Sequence, residues 1–570
     1  MMNRRTPAIV IFLLIFEICD GRTARGEFYP GRPDLFELSI IHLNDFHARF
    51  EQVSPTAGTC PQDREEECVG GLPRVYTATK ELKSQRPNAI FLNAGDHFQG
   101  TLWYNVYRWN VTATFMNMLP HDVMTIGNHE FDNGIAGVVP FLQNVKAPVV
   151  VTNIDASDEP TFQGLTKNST IIVRDGRKIG VIGVVLSTFD EIASTEKLKF
   201  LDEVESVNLE AEKLKRNEAV DIIVVLSHCG IEVDKKMAEN CPSVDVIVGG
   251  HSHTFLYSGP PPFIDTAEDE YPVEVRQKDT NRTVLIVQAA AYTKYLGNLT
   301  VWFDNDGEIV DWEGDPILLG QGIRQDPQIL KALEPWKTAV DSIGKKEIGT
   351  TKVVLRNDCR KNECNLANFV TDAMVDAWMN EAENGSYWTY AAVACTNSGG
   401  LRTPIGNHVN DRVTYNDLIT TMPFENTWDV LELQGRDIIA LLLQSVGDEG
   451  SNLIPAAHSF LHWSGLKTTF DMSREPHERL VEAKIRCQKC DLPVYEKIDP
   501  DQWYRIVACS FLVQGGDGYD IFAENRRNHK VGMVDIDQIV DYFQRMNPVT
   551  KGNENRVRFK NVPEKNKIKP

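Results

Sequence analysis

Phe36-Glu37-Leu38-Ser39-Ile40-Ile41-His42-Leu43 runs straight into Asn44-Asp45-Phe46-His47. A β-rich apolar run thus delivers a carboxylate and an imidazole at its C-terminal end, on one side of an extended Asp-x-His segment. The same arrangement recurs downstream. Ala89–Asn93 ends in Gly95-Asp96, and Asp122–Ile126 ends in Gly127-Asn128-His129-Glu130-Phe131-Asp132. Asp221–Leu226 ends in Ser227-His228, and Val244–Val248 in Gly249-Gly250-His251-Ser252-His253. Val149–Val151 and Lys178–Val185 read as further strands, alternating with helical stretches, so this part of the chain is α/β. Open α/β sheets bind ligands beyond the C-terminal ends of their strands. One histidine after a strand is ordinarily structural, but five coordinated placements are not. Four His, two Asp and one Asn suit two borderline divalent ions such as zinc or manganese. A dinuclear site of this kind clamps phosphate and supplies hydroxide at neutral pH.

At 570 residues the chain is long enough for two or more domains. Asp plus Glu total 80 against 59 Lys plus Arg, a formal charge of −21 that argues against binding nucleic acid. Residues 1–25 read as a signal peptide: Arg4 and Arg5 precede the apolar run Ala8–Phe16, which is too short to span a bilayer. No later run is long enough, and the charged C-terminus lacks a lipid-anchor signal. A secreted, extracellular protein without a membrane anchor is expected. Close pairs Cys60–Cys68, Cys359–Cys364 and Cys487–Cys490 read as disulfide staples, with three connectivities open for Cys229, Cys241, Cys395 and Cys509. Sequons at Asn110, Asn168, Asn281, Asn298 and Asn384 are expected glycosylation sites.

Residues 26–325 form the expected metal domain, 326–345 a helical linker, 346–550 a second α/β domain and 551–570 a flexible tail. The second domain carries Arg360, the Gly-rich turn Asn397-Ser398-Gly399-Gly400-Leu401-Arg402, Met422-Pro423-Phe424 and Phe511-Leu512-Val513-Gln514-Gly515-Gly516-Asp517-Gly518-Tyr519. Alone, these phenylalanines read as core residues and the glycines as turns. As a group they can sandwich a base (Phe424, Phe511), hold ribose (Asp517) and fork onto phosphate (Arg360, Arg402).

These motifs resemble the calcineurin-like metallophosphoesterases, and within them the 5′-nucleotidase/apyrase family, over nearly the whole mature chain. The resemblance implies an N-terminal αββα metallophosphoesterase sandwich and a C-terminal 5′-nucleotidase α/β domain joined by a linker helix. It implies one metal on Asp45, His47, Asp96 and His253, and a second on Asp96, Asn128, His228 and His251. His253 stands where many members have Asn or Gln. His129 and Asp132 become the catalytic pair, and Arg360, Asn397, Arg402, Phe424, Phe511 and Asp517 the substrate pocket. The implied cofactors are two divalent ions, zinc first, with calcium, magnesium or manganese as alternatives. Thr371 and Ala394 fall where vertebrate members have cysteines, so Cys395 is expected to pair with Cys509, and Cys229 with Cys241.

Thr101-Leu102-Trp103-Tyr104 and Arg108-Trp109-Asn110-Val111-Thr112 are similar to the secreted salivary apyrases of blood-feeding arthropods. That resemblance implies conversion of extracellular ATP and ADP to AMP and phosphate, which would block platelet aggregation at a bite. The Phe511–Tyr519 and Asn397–Arg402 segments look more like 5′-nucleotidases that cleave AMP to adenosine. A non-hydrolysing nucleotide scavenger and a phosphodiesterase or sugar phosphatase are further readings. Extracellular purine nucleotides are the expected partners, and the protein is expected to be a monomer or homodimer.

Overall fold

The computed structural model describes residues 34–562 apart from Gln62, Pro87, Cys359, Lys361, 380–386 and 448–459. The signal peptide, the sequon at Asn384 and the pairing partner expected for Cys364 lie outside the described residues.

The first domain stacks two six-stranded sheets face to face. One places Phe36–Leu43 between Ile90–Asn93, parallel to it, and Tyr295–Phe303, antiparallel. The other runs Val273–Arg276, Thr283–Val287, Val246–Val248, Ile222–His228, Arg177–Val185, Ser169–Arg174. Leu38, Ile40, Ile90 and Leu92 from the first sheet meet Val181, Val224, Ile247 and Ile286 from the second in one core. Alternate residues point to opposite faces, so Ile41 and Phe91 are free to pack outward against Val75 and Ala78 of the helix Leu72–Gln85. The helices Glu203–Glu218 and Ile231–Asn240 cover the other sheet through Val207, Ala211, Leu214, Met237 and Ala238. The order of layers is αββα. Val149–Val151, expected as a strand, makes only single bridges, from Val149 to Met124 and from Val150 to Lys167.

The helix Pro327–Gly344 connects the domains. Asp326 caps it, accepting from the Gln328 and Ile329 amides, and Ile329, Leu333, Val340 and Gly344 are its buried stripe. The second domain centres on a five-stranded sheet ordered Leu461–Ser464, Val393–Asn397, Trp503–Cys509, Trp428–Gln434, Arg527–Lys530. Beside it a four-stranded sheet runs Tyr495–Lys497, Leu480–Arg486, Leu466–Asp471, Val557–Lys560.

The last of these strands corrects the expected flexible tail for residues 557–560, while 563–570 lie outside the described residues. Residues 557–560 pair in parallel with Leu466–Asp471, and the Arg556 guanidinium just before them is buried on Asp372 at 2.7 Å. Cys60–Cys68 and Cys487–Cys490 are disulfides. The expected pairing of Cys395 with Cys509 and of Cys229 with Cys241 is also corrected, because all four are buried free thiols. Cys395 stands opposite Ala508 in the ladder, so Cys509, one residue on, leaves the other face of the sheet. Asn110, Asn168 and Asn281 are exposed, whereas Asn298 is half-buried within its strand.

Candidate dinuclear metal site

Each strand end places its polar side chains at one rim of the sandwich. Asp45, His47, Asp96 and His253 form one cluster, and Asp96, His228 and His251 a second that shares Asp96. Asn128 joins the second cluster, its Oδ1 3.0 Å from His251 Nδ1. Tight turns achieve this convergence: Asp45, His47, Asp96, His251 and His253 all adopt positive φ. That left-handed conformation costs non-glycine residues about 1–3 kcal/mol each and persists where surroundings over-determine it. Gly127 must lack a side chain, since a Cβ there would collide with Asp96 and His228.

The donor chemistry suits cations. His228 donates from Nδ1 to the Ala94 carbonyl at 2.6 Å. Its Nε2 faces Asp96 Oδ2 at 3.2 Å and is buried without a hydrogen-bond partner. A cation is favoured there: against burial, Asp96 and Asp45 push the imidazole up to about 9. His47 is oriented in the same way, with Nδ1 3.3 Å from the Phe98 carbonyl. Its Nε2 points at His253 Nε2, 3.1 Å away. Clustered lone pairs beside two buried carboxylates repel unless positive charge lies among them. Burial, helped by the Asp96 charge, pushes the Asp45 carboxyl up to about 6, although His228 draws it down. Imidazoles held by second hydrogen bonds to carbonyls are typical divalent-metal ligands.

His129 stands beside these clusters. Its Nδ1 meets the Asp132 carboxylate at 2.9 Å, and its backbone N–H donates to Asp96 Oδ1 at 3.0 Å. Burial works against an imidazolium here, but Asp132 and then Asp96 outweigh it and hold its pKa above the ordinary value.

Three neighbouring residues were not foreseen as site residues. Glu130, fully buried, accepts from the amides of Asp96 (3.1 Å), His97 (2.7 Å), Phe98 (3.0 Å) and Gly127 (2.5 Å). One carboxylate therefore fastens two of the ligand-bearing turns together. Tyr292 lies against both His47 and His253, with ring centroids 5.3 and 5.2 Å away. Arg49 covers the Tyr292 ring at 4.6 Å. Glu130 does stand inside the His129–Asp132 motif, which is the one sequence signal that could have found it.

The second domain faces this rim. Arg402 Nη2 lies 3.2 Å from His47 Nε2, and the Phe424 ring stacks on His129 with centroids 5.4 Å apart. Asn397 Nδ2 donates to Asp517 Oδ2 at 2.7 Å, while burial pushes the Asp517 carboxyl up to about 6. Arg360 is exposed, yet its charge reaches His253 together with that of Arg402. Phe511 is half-buried near Gly516. The structure thus gathers all seven expected metal ligands and the His129–Asp132 pair, and brings Arg402 and Phe424 to them.

Fold and site together define a two-domain phosphoesterase with a site for two divalent metals. Residues 38–255 match the calcineurin-like phosphoesterase family, and residues 347–524 the 5′-nucleotidase C-terminal domain. An apyrase of Tabanus yao is 44% identical over 92% of this chain and 94% of its own length. The 5′-nucleotidase of Rattus norvegicus is 36% identical over 92% of this chain and 91% of its own length. A crystal structure of a 5′-nucleotidase precursor from Thermus thermophilus has a TM-score of 0.83 and 32% identity, covering 93% of this chain and all of that one. The chain belongs to the 5′-nucleotidase family and is a nucleotide phosphohydrolase.

Proposed function

We propose that the protein is a secreted apyrase that hydrolyses extracellular ATP and ADP to AMP and phosphate, and so limits platelet aggregation during blood feeding. Zinc is the proposed metal at both positions. Disulfides Cys60–Cys68 and Cys487–Cys490 support an oxidising, extracellular setting. Two bound divalent ions would neutralise phosphate charge and make water nucleophilic at neutral pH. Asp45, His47, Asp96 and His253 would hold one, and Asp96, Asn128, His228 and His251 the other. Asp132 fixes the His129 ring through Nδ1, which leaves Nε2 to donate a proton to the leaving oxygen or to steady the transferring group. Arg360 and Arg402 hold phosphate oxygens, Asp517 the ribose, and Phe424 with Phe511 the base.

One observation carries the choice of ATP and ADP. The apyrase-like stretch 101–112 touches the base-binding turn. Asn105 Nδ2 donates to the Pro423 carbonyl at 3.2 Å, and Arg108 pairs with Glu425 at 2.7 Å. These contacts tie the stretch to the turn that carries Phe424, which supports a part for it in how the two domains open to admit the phosphates. The likeness of the Asn397–Arg402 turn to AMP-cleaving enzymes supports a second reading, hydrolysis of AMP to adenosine. Incubating purified protein with ATP, ADP or AMP, with and without chelator, separates the two. Chelator-sensitive phosphate release from ATP and ADP, with AMP accumulating, is expected. Release from AMP alone would establish the second reading, and tight binding without release would leave neither.

A further inference from the structure

The four-stranded sheet of the second domain has one apolar and one charged face. Leu466, Phe470 and Ile485 are buried on the inner side, where Phe470 stacks on Phe559 with centroids 5.6 Å apart. The outer face is cationic. Lys467 stands directly opposite Lys484, and Lys484 directly opposite Lys497, so three lysines are in register across three strands. Neighbouring strands are about 4.8 Å apart. The fourth strand adds Arg558 and Lys560, opposite Thr469 and Asp471 on the same face. All five cations are exposed. The carboxylates among them are Glu482, paired with Lys484 at 2.7 Å, and Asp471, occupied by Ser473 and Asn561. Glu482 also lies in the field of Lys560 and Arg558, which leaves five cations against two carboxylates on this face.

Like charges directly opposite in a sheet are destabilising, by up to about 1 kcal/mol per pair. Lysines on edge strands commonly guard against unwanted strand pairing. That explanation covers Lys497 and Lys560, which lie on the outer strands, but not Lys467 and Lys484, which lie on inner ones. The ladder also stands out in a chain of net charge −21. Exposed cations contributed by all four strands to one face match a linear polymer with regularly repeated anionic groups. Tyr495, the aromatic ring beside the row, is covered by Lys467 at 4.5 Å, which leaves that face of the ring closed to a stacking nucleobase.

We propose that this face binds a sulfated polysaccharide, with the cross-strand row Lys497, Lys484 and Lys467 and the adjoining Arg558 and Lys560 engaging its sulfates. The site is separate from the metal ligands and the nucleotide pocket, so docking would hold the enzyme on a glycan-bearing surface while it turns over.

The test uses the full metal-loaded protein on immobilised heparin, in parallel with single-stranded DNA and phosphatidylserine vesicles. The wild type should be retained by heparin at about 0.15 M salt. A Lys467→Gln, Lys484→Gln, Lys497→Gln variant should elute at clearly lower salt. Its log-affinity should fall less steeply with log-salt, by about 2–3 in slope, because three fewer cations displace counterions. Nucleotide hydrolysis of the variant should match the wild type and its melting temperature should be no lower, since two like-charge pairs are removed, which separates docking from folding and catalysis. A Lys497→Gln, Lys560→Gln variant, confined to the outer strands, provides an intermediate case. No retention of the wild type, or equal elution of wild type and triple variant, would overturn the proposal. Stronger retention on DNA or on vesicles than on heparin would overturn the assignment of the partner.

Discussion

His129 meets three groups at once: the Asp132 carboxylate, Asp96 through its backbone N–H, and the face of Phe424. His129 belongs to neither ligand cluster, so His129→Ala should lower turnover by roughly 10²–10⁴ and leave metal content unchanged. Metal analysis beside steady-state rates checks both halves, and full activity would remove His129 from the chemistry. Glu130→Ala should behave differently. It strands four buried amides, each costing about 1–3 kcal/mol, and frees two ligand turns together. Loss of both metal and stability is expected, whereas Glu130→Gln should recover part of each. The ligands were legible because each ends an apolar strand. The amides that Glu130 binds lie mostly some thirty residues upstream, and no local pattern announces such a contact. Tyr292 arrives on a loop at positive φ, which is equally silent in sequence. Burial pushes Asp535 up to about 8, well above an unfolded aspartate. Folding therefore favours its neutral form. That stabilising contribution is complete below the unfolded carboxyl's value of about 4, declines as pH rises, and is gone above about 8. Asp535→Asn should flatten the fall in melting temperature between about pH 4 and about pH 8, and an unchanged slope would contradict it.

The helices Leu102–Tyr107 and Trp109–Met116 break at Arg108, whose φ is 54°. The break turns Arg108 and Asn105 towards the Pro423–Glu425 turn, a direction the sequence could not supply. Replacing both by Ala should change the ratio of ATP to AMP turnover more than it changes stability, read as kcat/KM for each nucleotide. An unchanged ratio would detach this element from substrate choice. The linker was legible because Asp326 and Pro327 start a helix and Ile329, Leu333 and Val340 keep one face apolar. Of the strands, the parallel ones that carry ligands could be read. The place of Tyr295–Phe303 could not, because it pairs with the first strand across a separation of 261 residues, as in the Ser39–Thr300 contact.

Across the whole molecule, the two domains are drawn so close that Phe424 stacks on His129 and Arg402 lies against His47. A phosphate ester has no room between rings 5.4 Å apart, so the domains must separate for a nucleotide to enter. Cysteines introduced by Arg108→Cys and Glu425→Cys, joined as a disulfide, should hold the domains together and suppress turnover until reduced. Full activity of the cross-linked protein would show that separation is not needed. The chain's acidity makes the bound cations decisive for capture, so chelation should weaken ATP binding as well as abolish hydrolysis, which calorimetry on the stripped protein would read. Composition gave the charge, but the contacts across the cleft join residues some three hundred positions apart and left no trace in any local pattern.

The buried Arg556 and the strand after it also bear on how the protein is made. Strands 36–43 and 295–303 complete the first sandwich well before the second domain has emerged from the ribosome, and domains generally fold in that order. The second domain has to wait, because Leu466–Asp471 receives its parallel neighbour only when residues 557–560 are released. A stop codon just upstream of Arg556 would thus yield a folded first domain attached to an unfinished second one. Limited proteolysis of such a nascent product should spare the first domain and digest the second.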